Sequence, residues 1–157
     1  MPKPSHFSPD GSVSMVDVSA KAVTARTARA EALVRMSVEA RRALREATLS
    51  KGDAFVTAQI AGIAAAKQTG TLIPLAHSLP LAGVAVSFEW TADDRLRIEA
   101  EARTTAQTGV EMEALVAASI AALTVYDMAK AIDKSITIER VALLEKTGGK
   151  SGTWRAK

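Results

Sequence analysis

The sequence predicts an α+β fold in which an antiparallel sheet carries its helices on one face. Residues 26–36 alternate small or apolar side chains with polar ones, the period of two typical of a half-buried strand. The runs 83–90 and 94–102 alternate in the same way, and the three residues at 91–93 between them predict a hairpin. Residues 109–132, by contrast, form a long and largely apolar stretch, which predicts a helix that is covered on most sides.

Helix start and stop signals divide the segment between the first strand and the hairpin. Ser37 is a predicted N-cap for a short helix that ends near Thr48. The residues at 51–53 interrupt the pattern, and Asp53 caps a second helix that ends near Gly70. Two helical segments are therefore expected before the sheet resumes.

Proline and glycine set the remaining boundaries. Pro74 and Pro80 each remove a backbone donor, so we predict a loop at 71–80. Residues 135–144 alternate again as a last strand, followed by a glycine-rich loop at 145–152. The order strand, helix, strand, strand, helix, strand is that of the ferredoxin-like split βαβ sandwich, a fold that hosts many chemistries.

The composition fits one domain. With 157 residues, 48% of them hydrophobic, the chain can bury a single core, which we assign to residues 13–152 between a flexible leader at 1–12 and a tail at 153–157. No apolar run reaches the ~20 residues of a membrane span and the start lacks the apolar centre of a signal peptide, so a cytoplasmic protein is expected. Cysteine is absent, which excludes disulfides, thiolate nucleophiles and zinc–thiolate sites.

The charge balance favours an anionic ligand. Twenty Lys and Arg against seventeen Asp and Glu give a formal net charge of +3 and a pI near 9.4. Aromatic residues make up only 4% of the chain, which leaves little to stack against single-stranded nucleic acid. A small phosphorylated ligand is therefore expected, and no nucleic acid.

Three features could carry chemistry, and each has a plainer interpretation. Asp127 and Lys130 are three residues apart on the long helix, so they can form an acid–base pair or an ordinary surface ion pair. His77, in the proline-bracketed loop, can titrate near neutrality or simply make a structural hydrogen bond. The stretch KTGGKSG only partly resembles a phosphate loop, because Leu144 stands where the first glycine belongs. Its backbone could still cradle an anion beside Lys146 and Lys150, or it could be a solvated tail.

Five segments together resemble one family. They are MVDVSAKAVTARTARAEA, KGDAFVTAQIAGIAAAK, LIPLAHSLPL, TGVEMEALVAASIAALTVYDMAKAID and KTGGKSG, in this order between about Met15 and Gly152. The segments are similar to those of molybdenum cofactor biosynthesis protein C. Five long motifs in the correct order are far more specific than any one of them.

This resemblance implies a function and a site. The family converts a 3′,8-cyclised dihydro-GTP into cyclic pyranopterin monophosphate and pyrophosphate, as a ferredoxin-like subunit of a hexamer assembled from dimers, with active sites at subunit interfaces. The catalytic aspartate falls on Asp127 with Lys130 as its partner. Substrate contacts fall on these residues: Leu75, Ala76, His77, Met112 and Glu113, together with the basic residues Lys21, Arg26, Lys51, Lys146 and Lys150.

We expect Lys130 to keep Asp127 ionised as a base, while a desolvated lysine could exchange protons near neutrality. Arg26, Lys51 and the two tail lysines would hold phosphate oxygens. No cofactor is required by the sequence; magnesium is allowed as a companion of the triphosphate, although no acidic cage for it is readable. The competing interpretation is a non-catalytic nucleotide- or RNA-binding module, which would not need Asp127.

Some positions depart from the family pattern. Ala76 and Ala129 stand where cysteine is expected, and Ser78 stands where proline is expected. None of these changes removes an acid or base that the mechanism uses, so they bear on loop geometry more than on activity.

Helix geometry predicts a composite site. Glu113 and Asp127 are fourteen residues apart, which is about 21 Å along a helix axis, although they point within about 40° of each other. One nucleotide pocket is too compact for both carboxylates of one helix, so a second subunit is expected to supply one of them. The uncharged stretch between them, 114–126, is the natural surface for that packing.

Overall fold

The first strand lies at the centre of the sheet, with a paired strand on each side. The computed structural model describes residues 10–157, so residues 1–9 of the predicted leader lie outside the described residues. Strand β1 spans Thr24–Arg35, and its residues Ala28, Ala30, Ala32 and Val34 are buried against the helices. Because these side chains are small, a helix can lie close to the strand, which explains the alanine content that would otherwise favour a helix.

Over residues 10–157 the sheet has five strands in the order β2-β3-β1-β4-β5, with antiparallel neighbours throughout. The strands after β1 are β2 (Leu81–Ala92), β3 (Arg95–Ala106), β4 (Thr137–Thr147) and β5 (Trp154–Arg155). The first four form the ferredoxin-like order, so the predicted fold class is confirmed.

Two boundaries at the end of the chain were predicted incorrectly. Strand β4 continues to Thr147, through residues assigned above to the glycine-rich loop, because Lys146 and Thr147 pair with β1. The ladder shifts register between Arg29 and Ala30, so β4 loses strict alternation where the prediction stopped. In the predicted tail, β5 pairs with Glu145 and Lys146.

In the part of the chain that the structure describes, four helices cover one face of the sheet. They are α1 (Val38–Arg45), α2 (Ala54–Lys67), α3 (Thr69–Leu72) and α4 (Glu111–Ala129). Both predicted caps are present: the Ser37 hydroxyl accepts from the Ala40 amide at 3.2 Å, and Asp53 Oδ1 accepts from the amides of the first turn of α2. The short α3 lies partly within the predicted loop.

Helix α4 ends three residues before the predicted Ile132. Its last turn is followed by Asp133, whose carboxylate accepts hydrogen bonds from the backbone of Ser37 and from the amide and hydroxyl of Ser135. These bonds hold the chain in a turn that leads into β4. Hydrogen bonds to this buried carboxylate therefore determine where α4 ends, and the hydrophobic periodicity of the sequence does not show them.

Close packing between α2 and α4 explains why both are apolar on nearly all sides. A Cβ added to Gly62 would lie 2.9 Å from the Ala117 carbonyl oxygen and 3.1 Å from Val86 Cγ2, so only glycine allows this approach. Helix α4 is long and apolar enough to cross a membrane, but 56% of its apolar window is buried inside the fold. Its composition therefore reflects burial between α2 and the sheet.

The other face of the sheet is charged. Arg29 pairs with Glu99 on β3, and the buried Glu31 contacts Arg97 and Arg140 from the strands on either side. Within residues 10–157 the helices thus lie on one face of the sheet only, as predicted.

Candidate active site

Two adjoining cavities open at the N-terminal end of α4. The smaller, about 340 Å³, lies between the loop after α3 and the first turn of α4, and we call it the apolar cavity. It is lined by all five substrate contacts that were predicted in the proline-bracketed loop and at the start of the long helix: Leu75, Ala76, His77, Met112 and Glu113. The fold therefore brings together residues that are separated by more than thirty positions in the chain.

The larger cavity, about 1010 Å³, is lined by four cationic side chains, and we call it the basic cavity. These are Lys21, Arg26, Lys146 and Lys150. The two cavities share Thr108, Gly109 and Glu111, so they lie directly beside each other.

Backbone contacts fix the position of Arg26 in the basic cavity. Its Nε donates to the Ala106 carbonyl at 3.1 Å and its Nη2 to the Gln107 carbonyl at 3.3 Å. Gly149, at φ +73°, lies directly against the guanidinium, where a side chain would collide. The glycine-rich loop thus closes over Arg26, and Lys150 follows it at the cavity wall.

Glu113 is the buried acid of the apolar cavity. It is 3% exposed, and burial raises the pKa of Glu113, with the nearby Glu111 carboxylate adding to the effect. Among residues 10–157, no group of another residue donates a hydrogen bond to its carboxylate. Such a group is poised to accept bonds from a ligand or to carry a proton.

His77 both makes a structural hydrogen bond and lines the apolar cavity. Its Nε2 lies 2.8 Å from the Val16 carbonyl oxygen, where it donates a structural hydrogen bond to the segment before β1. The ring also lines the apolar cavity. A structural bond and a place at the ligand site are compatible, because the ring face and its second nitrogen remain for other contacts.

The other candidate acid lies at the opposite end of α4. Asp127 Oδ1 is 2.6 Å from Lys130 Nζ, and Oδ2 is 2.9 Å from Lys51 Nζ, which also donates to the Asp127 carbonyl at 2.9 Å. Hydrogen bonds from Lys130 and then Lys51 lower the pKa of Asp127 to about 2. We refer to these three residues as the aspartate cluster.

The position of Lys51 differs from that of the other residues predicted to bind phosphate. Within one chain Lys51 lies beside Asp127, 76 positions away, and does not line the basic cavity, and its contact with phosphate stays a prediction. The expectation of a desolvated, less basic lysine is wrong for Lys130, which is about half exposed and whose bond to Asp127 raises the pKa of Lys130. Lys130 therefore stays protonated near neutrality.

Glu111 is a charged residue of the site that was not predicted. Glu111 lines both cavities and its Oε1 accepts from Lys146 Nζ at 2.6 Å. The signal available in the sequence was its place in the first turn of α4, one residue before Met112. That position alone predicts only a favourable interaction with the helix dipole.

Comparison with known proteins identifies the family. Residues 15–149 match the MoaC family along most of the chain. The chain belongs to the MoaC family. A cyclic pyranopterin monophosphate synthase from Rhodopirellula baltica is 48% identical over 164 residues, an alignment covering 98% of this chain and 94% of that protein. The resemblance stated from the five motifs is confirmed, and the MoaC-family match includes every residue of both cavities up to Gly149.

Proposed function

We propose that this MoaC-family chain converts a 3′,8-cyclised dihydro-GTP into cyclic pyranopterin monophosphate and pyrophosphate, as a lyase. The family match and the nearly full-length identity to a synthase of that name confirm the predicted enzyme of molybdenum cofactor biosynthesis. The placement of the substrate and the roles of the residues below are our proposals, argued from the geometry.

The two joined cavities suit the two halves of this substrate. The ring system fits the apolar cavity, where Leu75 and Met112 offer apolar contact and Glu113 can accept from ring N–H groups. The triphosphate then lies in the basic cavity. There Arg26, Lys146 and Lys150 neutralise charge that develops when a sugar hydroxyl attacks the α-phosphorus and the bond to the β-phosphate oxygen breaks, releasing pyrophosphate.

The position of the aspartate cluster carries the argument for a shared site. Asp127 is fourteen residues after Glu113 on one helix, about 21 Å along its axis, so it cannot reach a ring held in the apolar cavity of the same chain. A second subunit can bring its own cluster to that cavity. Asp127 would then accept a proton from the substrate while Lys51 and Lys130 donate protons or stabilise negative charge.

The assembly and location follow from the same proposal. We propose a homohexamer, a trimer of dimers, in which the exposed apolar residues of α4 between the two ends, such as Leu123, pack against another copy. We also propose a cytoplasmic enzyme. Magnesium, if used, would enter with the triphosphate, since its oxygen ligands would come mainly from phosphate and water.

The test is turnover of the cyclised GTP with pyrophosphate release, first in the unaltered protein and then in mixed oligomers. Asp127→Asn and Glu113→Gln proteins, each inactive alone, are mixed after reversible dissociation. A shared site regains up to about a quarter of the activity in random dimers, because only one of two sites in half the dimers is intact.

The matched control mixes Asp127→Asn with Lys130→Met, which alter the same cluster and cannot complement each other. Absence of recovery although labelled subunits exchange would exclude the shared site. Absence of turnover in the unaltered protein, with the nucleotide still bound, would favour the non-catalytic binding module.

A further inference from the structure

The junction of the two cavities holds an internal ion pair where a ligand anion is expected. Glu111 Oε1 is 2.6 Å from Lys146 Nζ, and the two side chains are 25% and 35% exposed. The carboxylate folds back over Gly109, in space that any side chain at position 109 would fill. The pair is thus partly shielded from solvent and supported by the local backbone.

Lys146 is the only one of the four basic-cavity cations paired with a carboxylate within residues 10–157. Arg26 donates to backbone carbonyls, and Lys21 and Lys150 have no carboxylate within 4.0 Å in that part of the chain. A phosphate that approaches Lys146 must therefore compete with Glu111, while the other cations are available at once.

We propose that Glu111 is a competing counter-ion, displaced from Lys146 when phosphate binds and returning when pyrophosphate leaves. The proposal rests on the function proposed above and extends it to a residue that determines charge specificity. A ligand with several negative charges also binds the other three cations, and these contacts offset the loss of the Glu111–Lys146 ion pair. A singly charged cyclic phosphate makes too few such contacts to offset it. Glu111 thereby favours the triphosphate over the product and promotes release of pyrophosphate.

Calorimetric titration with inorganic pyrophosphate tests this without requiring turnover. Glu111→Gln should bind pyrophosphate about tenfold more tightly, because a partly exposed ion pair no longer opposes binding. In turnover, the same variant should lose more in kcat than in kcat/KM, since release of pyrophosphate becomes slower. Glu39→Gln is the matched control, because Glu39 is an exposed acid in the first turn of α1 and its change removes the same charge from a helix start.

A double-mutant cycle identifies the partner. In a Lys146→Met background, Glu111→Gln should no longer tighten pyrophosphate binding. Glu111→Asp retains the first-turn charge but is one methylene shorter, so a purely helix-stabilising role predicts unaltered affinity, whereas the counter-ion role predicts partial tightening. Unchanged or weaker pyrophosphate binding by Glu111→Gln would overturn the proposal while leaving the function intact. Tightening in a protein that cannot turn over the cyclised GTP would instead refute only the function.

Discussion

The two ends of α4 present carboxylates in opposite environments. Glu113, in the first turn, is buried in an apolar cavity, and its pKa is raised by desolvation. Asp127, in the last turn, has a side chain that is 55% exposed, and two lysines lower its pKa to about 2. One acid thus resists ionisation and the other is always ionised near neutrality. The difference shows that position on a helix does not set the chemistry of an acid; the elements packed around it do.

The largest expected effect comes from removing the ionised acid. Asp127→Asn should reduce turnover by about 10²-fold or more, the usual loss for a positioned general base, while ligand affinity and folding stay near normal. Steady-state kinetics with the cyclised GTP and a thermal melt measure the two properties. Asp94→Asn, a change of the same kind in the hairpin turn, should be neutral. A folded Asp127→Asn protein with a nearly normal rate would contradict the assignment.

Removal of one cation from the basic cavity should have a moderate effect on pyrophosphate affinity. Lys150→Met should weaken pyrophosphate binding by about fivefold and reduce its dependence on salt, because one exposed cation is lost from the basic cavity. Titrations at several salt concentrations measure this, with Lys67→Met on the outside of α2 as control. Unaltered affinity would mean that the glycine-rich loop is a solvated segment. Truncation from Thr147 onward is a poorer test, since it also removes β5.

Burial of Glu113 should make the stability of the folded protein depend on pH. Its raised pKa means that the folded protein is penalised once Glu113 ionises, so this penalty is absent below the ordinary value of 4.5 and develops as the pH rises through the folded-state pKa. Glu113→Gln should therefore be more stable than the unaltered protein at pH 7, because the glutamine amide carries no charge that burial would penalise. The advantage should vanish near pH 4 in denaturant titrations. A constant difference across this range would exclude desolvation as its cause.

The smallest effect concerns which lysine controls Asp127. Because the bond from Lys130 is the largest cause, Lys130→Met should raise the pKa of Asp127 toward 3.8 by more than Lys51→Met does. Carboxyl-carbon NMR titration measures this, and Lys134→Met should have no effect. The stabilisation from ionised Asp127 is present above pH 3.8 and is lost as the pH falls through about 2. An equal rise in both variants would show that the two bonds are equivalent.

Local sequence patterns were sufficient to predict the helices and strands that have one buried face. The alternation in β1, β2 and β3 and the caps Ser37 and Asp53 predicted their elements to within a few residues. They failed at Lys146 and Thr147, because strand pairing with β1 across a register shift decides their conformation. The end of α4 was also missed, since one hydrogen bond that holds the Asp133 turn comes from the Ser37 amide, 96 positions away.

The sequence by itself determined the family, the strand–helix order and the pairing of Asp127 with Lys130, since contiguous motifs and helical spacing carry that information. Only the tertiary structure decided that Lys51 joins Asp127, that Glu111 pairs with Lys146, and that the cations of the basic cavity lie apart from the aspartate cluster. These contacts join residues 35 or more positions apart. Their existence depends on strand register and helix packing, and their ionisation on burial, neither of which local sequence periodicity encodes.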